Sequence, residues 1–244
     1  MLRVVELFTF LDPLREAGFP VEFVARREEV TGSYDKEEGL KELEPFHRQV
    51  VTGLGYRWEQ LWRAEQVHGA EVARIESGDN PGTIIPGVDG LMTDEPSALL
   101  GIYVADCGVI WVGDKRTGAI ALLHSGRKGT EEQILPKALS AMAEQFGTQP
   151  EDLIVVLGPC IRPPLYEVDI ASLISAQAQN FGVRDFHDCG ICTGHEVEKY
   201  YSYRVEKGHT LEECWVFWRA IGSELQGCHL EGSNHSSSFQ LPFD

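Results

Sequence analysis

Two apolar runs dominate the middle of the chain. Leu99-Leu-Gly-Ile-Tyr-Val-Ala-Asp-Cys107-Gly-Val-Ile-Trp-Val-Gly113 and Ala119-Ile-Ala-Leu-Leu-His124 are rich in β-formers, and the polar stretch Asp114-Lys-Arg-Thr-Gly118 between them is turn chemistry. The pattern predicts a β-hairpin that sets Gly113 against Ala119. In that register Cys107 and His124 come nearly opposite each other, within side-chain reach.

Downstream, Ser125-Gly-Arg-Lys-Gly129 reads as a glycine-rich turn, and Thr130-Glu-Glu-Gln133 has the form of a capping box that opens a helix. Leu135, Leu139, Met142 and Phe146 then recur at helical spacing, so one stripe of that helix faces a core. A further strand is expected at Leu153 to Leu157 and a helix from Ile170 to about Phe181. Upstream, Val21 to Ala25 reads as a strand, the acidic run from Tyr34 to Glu44 as a solvated loop or short helix, and Phe46 to Gly53 as a short helix ending at glycine. Leu61 to Ile75 predicts strands broken around His68-Gly69, followed by a Pro/Gly-rich loop at Gly78 to Gly87. Strands and helices interleave without a βαβ rhythm, which favours an α+β architecture with a mixed sheet. No repeat or low-complexity linker divides the chain, and residues 1–244 read as one domain.

A chain of 244 residues that is 43% hydrophobic has enough apolar side chains for a full core. Its net charge of −17 repels nucleic acid and anionic membranes, so a small-molecule partner is expected. The N-terminal residues carry Arg3 and Glu6 and lack the form of a secretory signal, and no apolar window approaches the length of a membrane span. A cytoplasmic protein is expected. Six scattered cysteines do not make a disulfide framework. Cys189-Gly-Ile-Cys192 has redox or zinc spacing but no partner motif, and reads as ordinary thiols; Cys214 and Cys228 read as core.

A thiol beside an imidazole supports two chemistries. With His68 as a third donor, Cys107 and His124 make a His₂Cys set that holds zinc and leaves its fourth position open. A histidine beside glycine also serves as an ordinary hydrogen-bonded turn residue. Without a metal, Cys107 would be a nucleophile and His124 its base. The turn Ser125 to Gly129, with Arg127 and Lys128, would receive an anion next to His124, or act as a structural turn with solvated charges. Asp89 and Asp106 are candidate general acids or strand-end hydrogen bonders.

Five blocks in order extend this picture: Gln66-Val-His-Gly69, Asp89-Gly-Leu-Met-Thr93, Ala105-Asp-Cys107, His124-x-Gly-x-x-Gly-Thr130, and Leu157-Gly-Pro-Cys-Ile161 followed by Tyr166-Glu-Val168. Together they resemble the laccase-domain family, also called the multicopper polyphenol oxidoreductase family. Weaker echoes lie at Phe23-x-x-Arg26, Cys192-Thr193 and Tyr201-Ser-Tyr-Arg204. The resemblance implies a zinc-dependent purine nucleoside phosphorylase with adenosine deaminase activity, acting on nucleoside and phosphate. It also implies a mixed-sheet α/β/β/α sandwich similar to the catalytic domain of the cytotoxic necrotizing factor. Carried over by position, His68, Cys107 and His124 would ligate zinc, and Gln66 and Arg26 would border the substrate. The chain departs from the usual His-Ala-Gly-Trp-Arg-Gly, having Ser125, Arg127 and Lys128 in place of Ala, Trp and Arg. Val109 replaces a usual proline, Glu28 and Glu29 replace Gly-Gly, His47 precedes Arg48 where Asn-Arg is usual, and the Thr-Gly-Arg expected near the end is not recognisable after His209-Thr210. The metal triad is thus kept while the pocket is altered. The alternatives are a metal-independent cysteine hydrolase of an amide or ester, such as a cell-wall precursor, and a non-catalytic nucleoside-binding relative. A copper laccase fits poorly, because only three donors appear and no blue-copper spacing is present.

Overall fold

The computed structural model describes residues 8–26, 36–76, 84–206 and 214–219, with 36–42 and 214–219 as backbone. Expectations for residues 1–7, for Glu28, Glu29, Tyr34, Asp35, His209, Thr210 and Cys228, and for the start of the Pro/Gly-rich loop lie outside the described residues. The elements are α1 (Asp12–Glu16), β1 (Val21–Val24), α2 (Lys36–Gly53), β2 (Leu61–Ala64), β3 (Val72–Arg74), β4 (Ile84–Ile85), β5 (Gly90–Thr93), β6 (Leu99–Val104), β7 (Gly108–Asp114) and β8 (Ile120–Ser125). There follow α3 (Arg127–Glu131), α4 (Ile134–Phe146), β9 (Leu153–Leu157), α5 (Ile170–Phe181), β10 (Asp185–Asp188), α6 (Tyr203–Glu206) and β11 (Cys214–Arg219).

The strands form two mixed sheets, one in the order β1-β11-β6-β2-β4 and the other β10-β9-β7-β8-β5-β3. Alternating side chains of each strand serve different layers. Phe23, Trp62, Leu100 and Ile102 of the first sheet meet Leu91, Trp111, Leu122 and Val156 of the second in one buried cluster between the sheets. Leu61, Leu99 and Tyr103 face the other way and pack on Val50 and Val51 of α2. Ile110, Val112, Leu123 and Val155 face outward from the second sheet onto Leu135, Leu139 and Met142 of α4 and Ile174 of α5. The order is therefore helix, sheet, sheet, helix, and the expected α+β class with mixed sheets is the one observed. Among the described residues no helix is long and apolar enough to cross a membrane.

The topology gathers one end of the sandwich into a functional edge. β2 and β4 are parallel, as are β2 and β6, and each leaves the first sheet at its C-terminal end to enter the second as β3, β5 and β7. Three crossings, at residues 65–71, 86–89 and 105–107, are thereby brought to the same edge. β8 runs antiparallel to β5 and β7 and delivers His124 and Ser125 to that edge.

Four expectations are corrected. Leu99–Gly113 is not one strand: it crosses between sheets at Ala105-Asp106-Cys107, with Asp106 in the left-handed region at φ 71°. Both strands are buried on both faces, so the apolar run shows no alternation that would mark the break. The hairpin that remains pairs Gly113 with Ile120 and Val109 with His124, one residue away from the predicted register, and places Cys107 just beyond the strand end. Thr130 does not cap a helix: it lies inside the five-residue α3, where its hydroxyl bonds to the Gly126 carbonyl and lies 2.8 Å from Ser125 Oγ. Left-handed Gln133 then separates α3 from α4. The helix expected from Phe46 is the second half of α2, which also takes up most of the acidic run.

One polar side chain is held against its usual charge state. Burial raises the Glu22 carboxyl to about 7, with Arg15 and the Phe23 N–H pulling it back. Between its ordinary value of 4.5 and about 7, the folded chain keeps a proton that the unfolded chain has released. This contribution to stability is complete below 4.5 and is lost as pH rises through about 7. Urea unfolding of wild type and Glu22→Gln at about pH 5 and about pH 8 should show the wild type losing up to ~3 kcal/mol more than the variant across that interval.

Candidate metal centre

His68 comes from the first crossing, Cys107 from the third, and His124 from the end of β8. Their donor atoms all lie within 4.8 Å of one another. The two imidazoles meet edge to face, with ring centroids 5.0 Å apart. Asp89, at the second crossing, holds the group together. Its buried carboxylate lies 2.8 Å from His124 Nδ1, which leaves Nε2 for the cluster. The same carboxylate accepts the backbone N–H groups of Val67 (3.2 Å), His68 (2.8 Å) and Gly69 (2.7 Å). The His124 N–H also donates to the Asp89 carbonyl at 2.8 Å.

Gln66, His68 and Asp106 all have positive φ, at 63°, 60° and 71°. Non-glycine residues adopt this backbone only where their surroundings over-determine it. Each is pinned. The Gln66 amide bonds the carbonyl and the N–H of Tyr103, at 2.5 and 2.8 Å. His68 is held by Asp89, and Asp106 accepts Thr193 Oγ1 at 2.6 Å and the Arg204 N–H at 2.7 Å. Gly126 is needed for close approach, since a Cβ there would lie 2.8 Å from Cys107 Sγ. At Gly129 a Cβ would lie 2.6 Å from the Gly69 carbonyl, so α3 packs directly against the His68 loop.

Burial alone would raise the Cys107 thiol, but His124 and then His68 beside it bring it below its ordinary value. His124 is raised in turn: burial opposes its charge, and the Cys107 sulfur and Asp89 outweigh that. Asp89 is lowered despite the penalty of burial, because His124, Gly69 and His68 all donate to it. Two imidazoles and a thiol poised to ionise, with a carboxylate bonded to the far nitrogen of one ring, suit a soft divalent ion such as zinc.

The other sequence candidates fall in different places. Ser125 is fully buried and occupied with Thr130. Arg127 stands at the edge, half exposed, 2.9 Å from Glu131 and 3.7 Å from Glu167, while the exposed Lys128 lies 3.7 Å from Glu132. Arg26 ties the end of β1 to residues 197–206: it bonds the Val197 carbonyl at 3.1 Å and Glu206 at 2.6 Å, and its guanidinium lies 4.9 Å from the Tyr201 ring centroid. Cys189 and Cys192 are free thiols, and burial pushes the Cys189 thiol up to about 11. Sequence reasoning named Asp89 and Asp106 as general acids or hydrogen bonders, and both carboxylates serve as acceptors that fix backbone. It missed Gly126, Glu167 and Arg204 as neighbours of the cluster. The Tyr166-Glu-Val168 block was the one signal for Glu167.

Two packed mixed sheets with a His-Cys-His cluster at the crossings define a class, and solved structures share the architecture. YlmD from Geobacillus stearothermophilus superposes with a TM-score of 0.72 at 22% identity, over 84% of this chain and 92% of that one. YfiH, a hypothetical protein from Bacillus licheniformis, gives 0.69 at 19% identity, over 81% and 85%. The family model described as multi-copper polyphenol oxidoreductase laccase matches residues 32–171 and 165–219, and the chain belongs to that family. A purine nucleoside phosphorylase of Streptomyces coelicolor is 30% identical over 65% of this chain and 75% of its own length. Another, YlmD of Geobacillus stearothermophilus, is 34% identical over 50% of this chain. The aligned stretch spans 47% of that relative and 53% of one from Mycobacterium bovis, about half the length of each.

Two substitutions test the construction of the centre. Asp89→Asn keeps the size but changes what His124 Nδ1 meets, and should weaken zinc binding by about 10–100-fold in competition with a chromogenic chelator. Gly126→Ala must displace the Cys107 sulfur, and should weaken zinc binding by at least about tenfold while leaving the far-ultraviolet circular dichroism unchanged.

Proposed function

We propose that this chain is a zinc-dependent purine nucleoside phosphorylase, with His68, Cys107 and His124 holding the ion. The convergence of those three donors at the sheet crossings carries the reading, and the names of its relatives support it. A zinc ion held by His68, Cys107 and His124 would supply Lewis acidity and a means of activating water, which is also the chemistry that adenosine deamination needs. In phosphorolysis a phosphate oxygen attacks the anomeric carbon of the ribose, the glycosidic C–N bond breaks, and its electron pair leaves with the purine, which takes up a proton. In this reading Arg127, one residue from Gly126, holds the attacking phosphate and stabilises its charge. Ser125, Gly129 and Gln66 act by fixing backbone around the donors, and Arg26 by holding residues 197–206 in place. Deamination of adenosine in the same site is the second activity proposed.

A second reading has a specific observation behind it. Cys107, His124 and Asp89 have the order of a thiol, its base and a carboxylate that orients the base, so a cysteine hydrolase would use the same three residues. Metal dependence separates the two. Elemental analysis of the wild type should find zinc, and release of hypoxanthine from inosine should require phosphate, stop on chelation and return with zinc. Cys107→Ala should lose both the ion and turnover, the latter by at least about 10³-fold, the scale of removing a principal electrostatic stabiliser. Hydrolysis of an amide or ester substrate that survives chelation but is lost on alkylation of Cys107 would establish the hydrolase instead.

A further inference from the structure

Two arginines that start on opposite sides of Cys107 end on the same carboxylate. Arg127 follows Gly126, whose Cα faces the Cys107 sulfur. Arg204 donates its backbone N–H to Asp106, the residue before Cys107, at 2.7 Å. Their guanidinium groups converge on Glu167: Arg127, whose Nε bonds Glu131 at 2.9 Å, has Nη1 3.7 Å from Oε1, and Arg204 Nη2 bonds Oε2. The Arg204 guanidinium also lies 4.8 Å from the Tyr166 ring centroid, which fixes it from one side. The ring of contacts from Cys107 through Gly126, Arg127, Glu167, Arg204 and Asp106 closes on the metal centre.

We propose that Arg127 and Arg204 form a clamp for inorganic phosphate and that Glu167 is a built-in occupant which phosphate displaces. This rests on the phosphorylase reading and specifies its phosphate site. Two guanidiniums directed at the two oxygens of one group make the geometry that binds tetrahedral oxyanions. The Glu167 side chain is 58% exposed, and its partners are 50% and 47% exposed. Ion pairs this wet hold weakly, so a dianion with more acceptor oxygens competes well for the same donors. The chain as a whole carries −17, so attraction for phosphate has to be local.

The test is calorimetric titration of the zinc-loaded full chain with inorganic phosphate. Glu167→Gln should bind phosphate about tenfold more tightly than wild type, since one competing charge is removed. Arg204→Met should weaken binding by a similar factor, and the double variant should lose the gain. Equal or weaker binding by Glu167→Gln overturns the proposal, as does Arg204→Met binding phosphate as wild type does. The three side chains are exposed, and thermal unfolding of each variant verifies the fold; Arg127→Met offers an independent second arm with the same expectation as Arg204→Met. The binding pattern is read without turnover. If it holds while inosine is not cleaved, the clamp stands and the phosphorylase reading fails. If inosine is cleaved while the pattern is absent, the clamp fails alone.

Discussion

The carboxylate of Asp89 is the constraint on which the centre depends. It satisfies three consecutive backbone N–H groups of the His68 loop and orients the His124 ring, all from a fully buried position. A buried charge is costly unless it is paired and hydrogen-bonded, and here four donors meet it. The left-handed backbone at His68 and the direction of His124 are thus two consequences of one acceptor. Asp106 repeats the device at the crossing that supplies Cys107, with Thr193 and the Arg204 N–H as its donors. Strain at His68 and at Asp106 is tolerated because a carboxylate is placed to hold each.

What the sequence made legible follows the same division. Elements whose identity is set by local periodicity were readable: β9, α5 and the buried stripe Leu135, Leu139 and Met142 of α4 stand where the pattern put them. The nearness of Cys107 and His124 was readable from the hairpin, whereas His68 was a candidate that the resemblance assigned, because only tertiary folding brings it beside them. The crossings were not. Leu99 to Gly113 is apolar on both sides of Asp106 because each half is covered on two faces, so no period-two alternation exists to mark the break. β5 was hidden because its few residues were absorbed into a recognition block, and β10, Asp185-Phe-His-Asp188, because a polar edge strand carries little apolar signal. Thr130 misled for another reason. Its hydroxyl serves the strand end and the Gly126 carbonyl, a tertiary use of a residue whose spacing to Gln133 has the form of a cap.

The segment after His124 shows how one stretch divides its labour. Read as a linear turn, Ser125 to Gly129 is a cradle for an anion. Folded, Ser125 and Gly129 are buried and serve packing, and α3 is too short to build a useful dipole. What remains for solvent is Arg127 and Lys128. Only Arg127 also reaches across the edge to another segment, at Glu167, while Lys128 leans along its own helix to Glu132. Of two adjacent cations, one is therefore tied to a second segment of the chain and the other to its own helix.

Cys107, His124 and Asp89 considered alone suit a thiol nucleophile as well as a metal, and the residue that separates those uses is His68. A nucleophile relay needs one imidazole, oriented by one carboxylate. The second ring has no part in it, yet it lies with its donor atom within 4.8 Å of both the sulfur and the other imidazole. Holding it there requires a left-handed backbone that costs on the order of 1–3 kcal/mol and consumes the Asp89 carboxylate on the neighbouring amides. Under the metal reading proposed above, an ion shared by three donors would account for that arrangement, whereas the close approach of Gly126 to the Cys107 sulfur serves a ligand and a nucleophile alike.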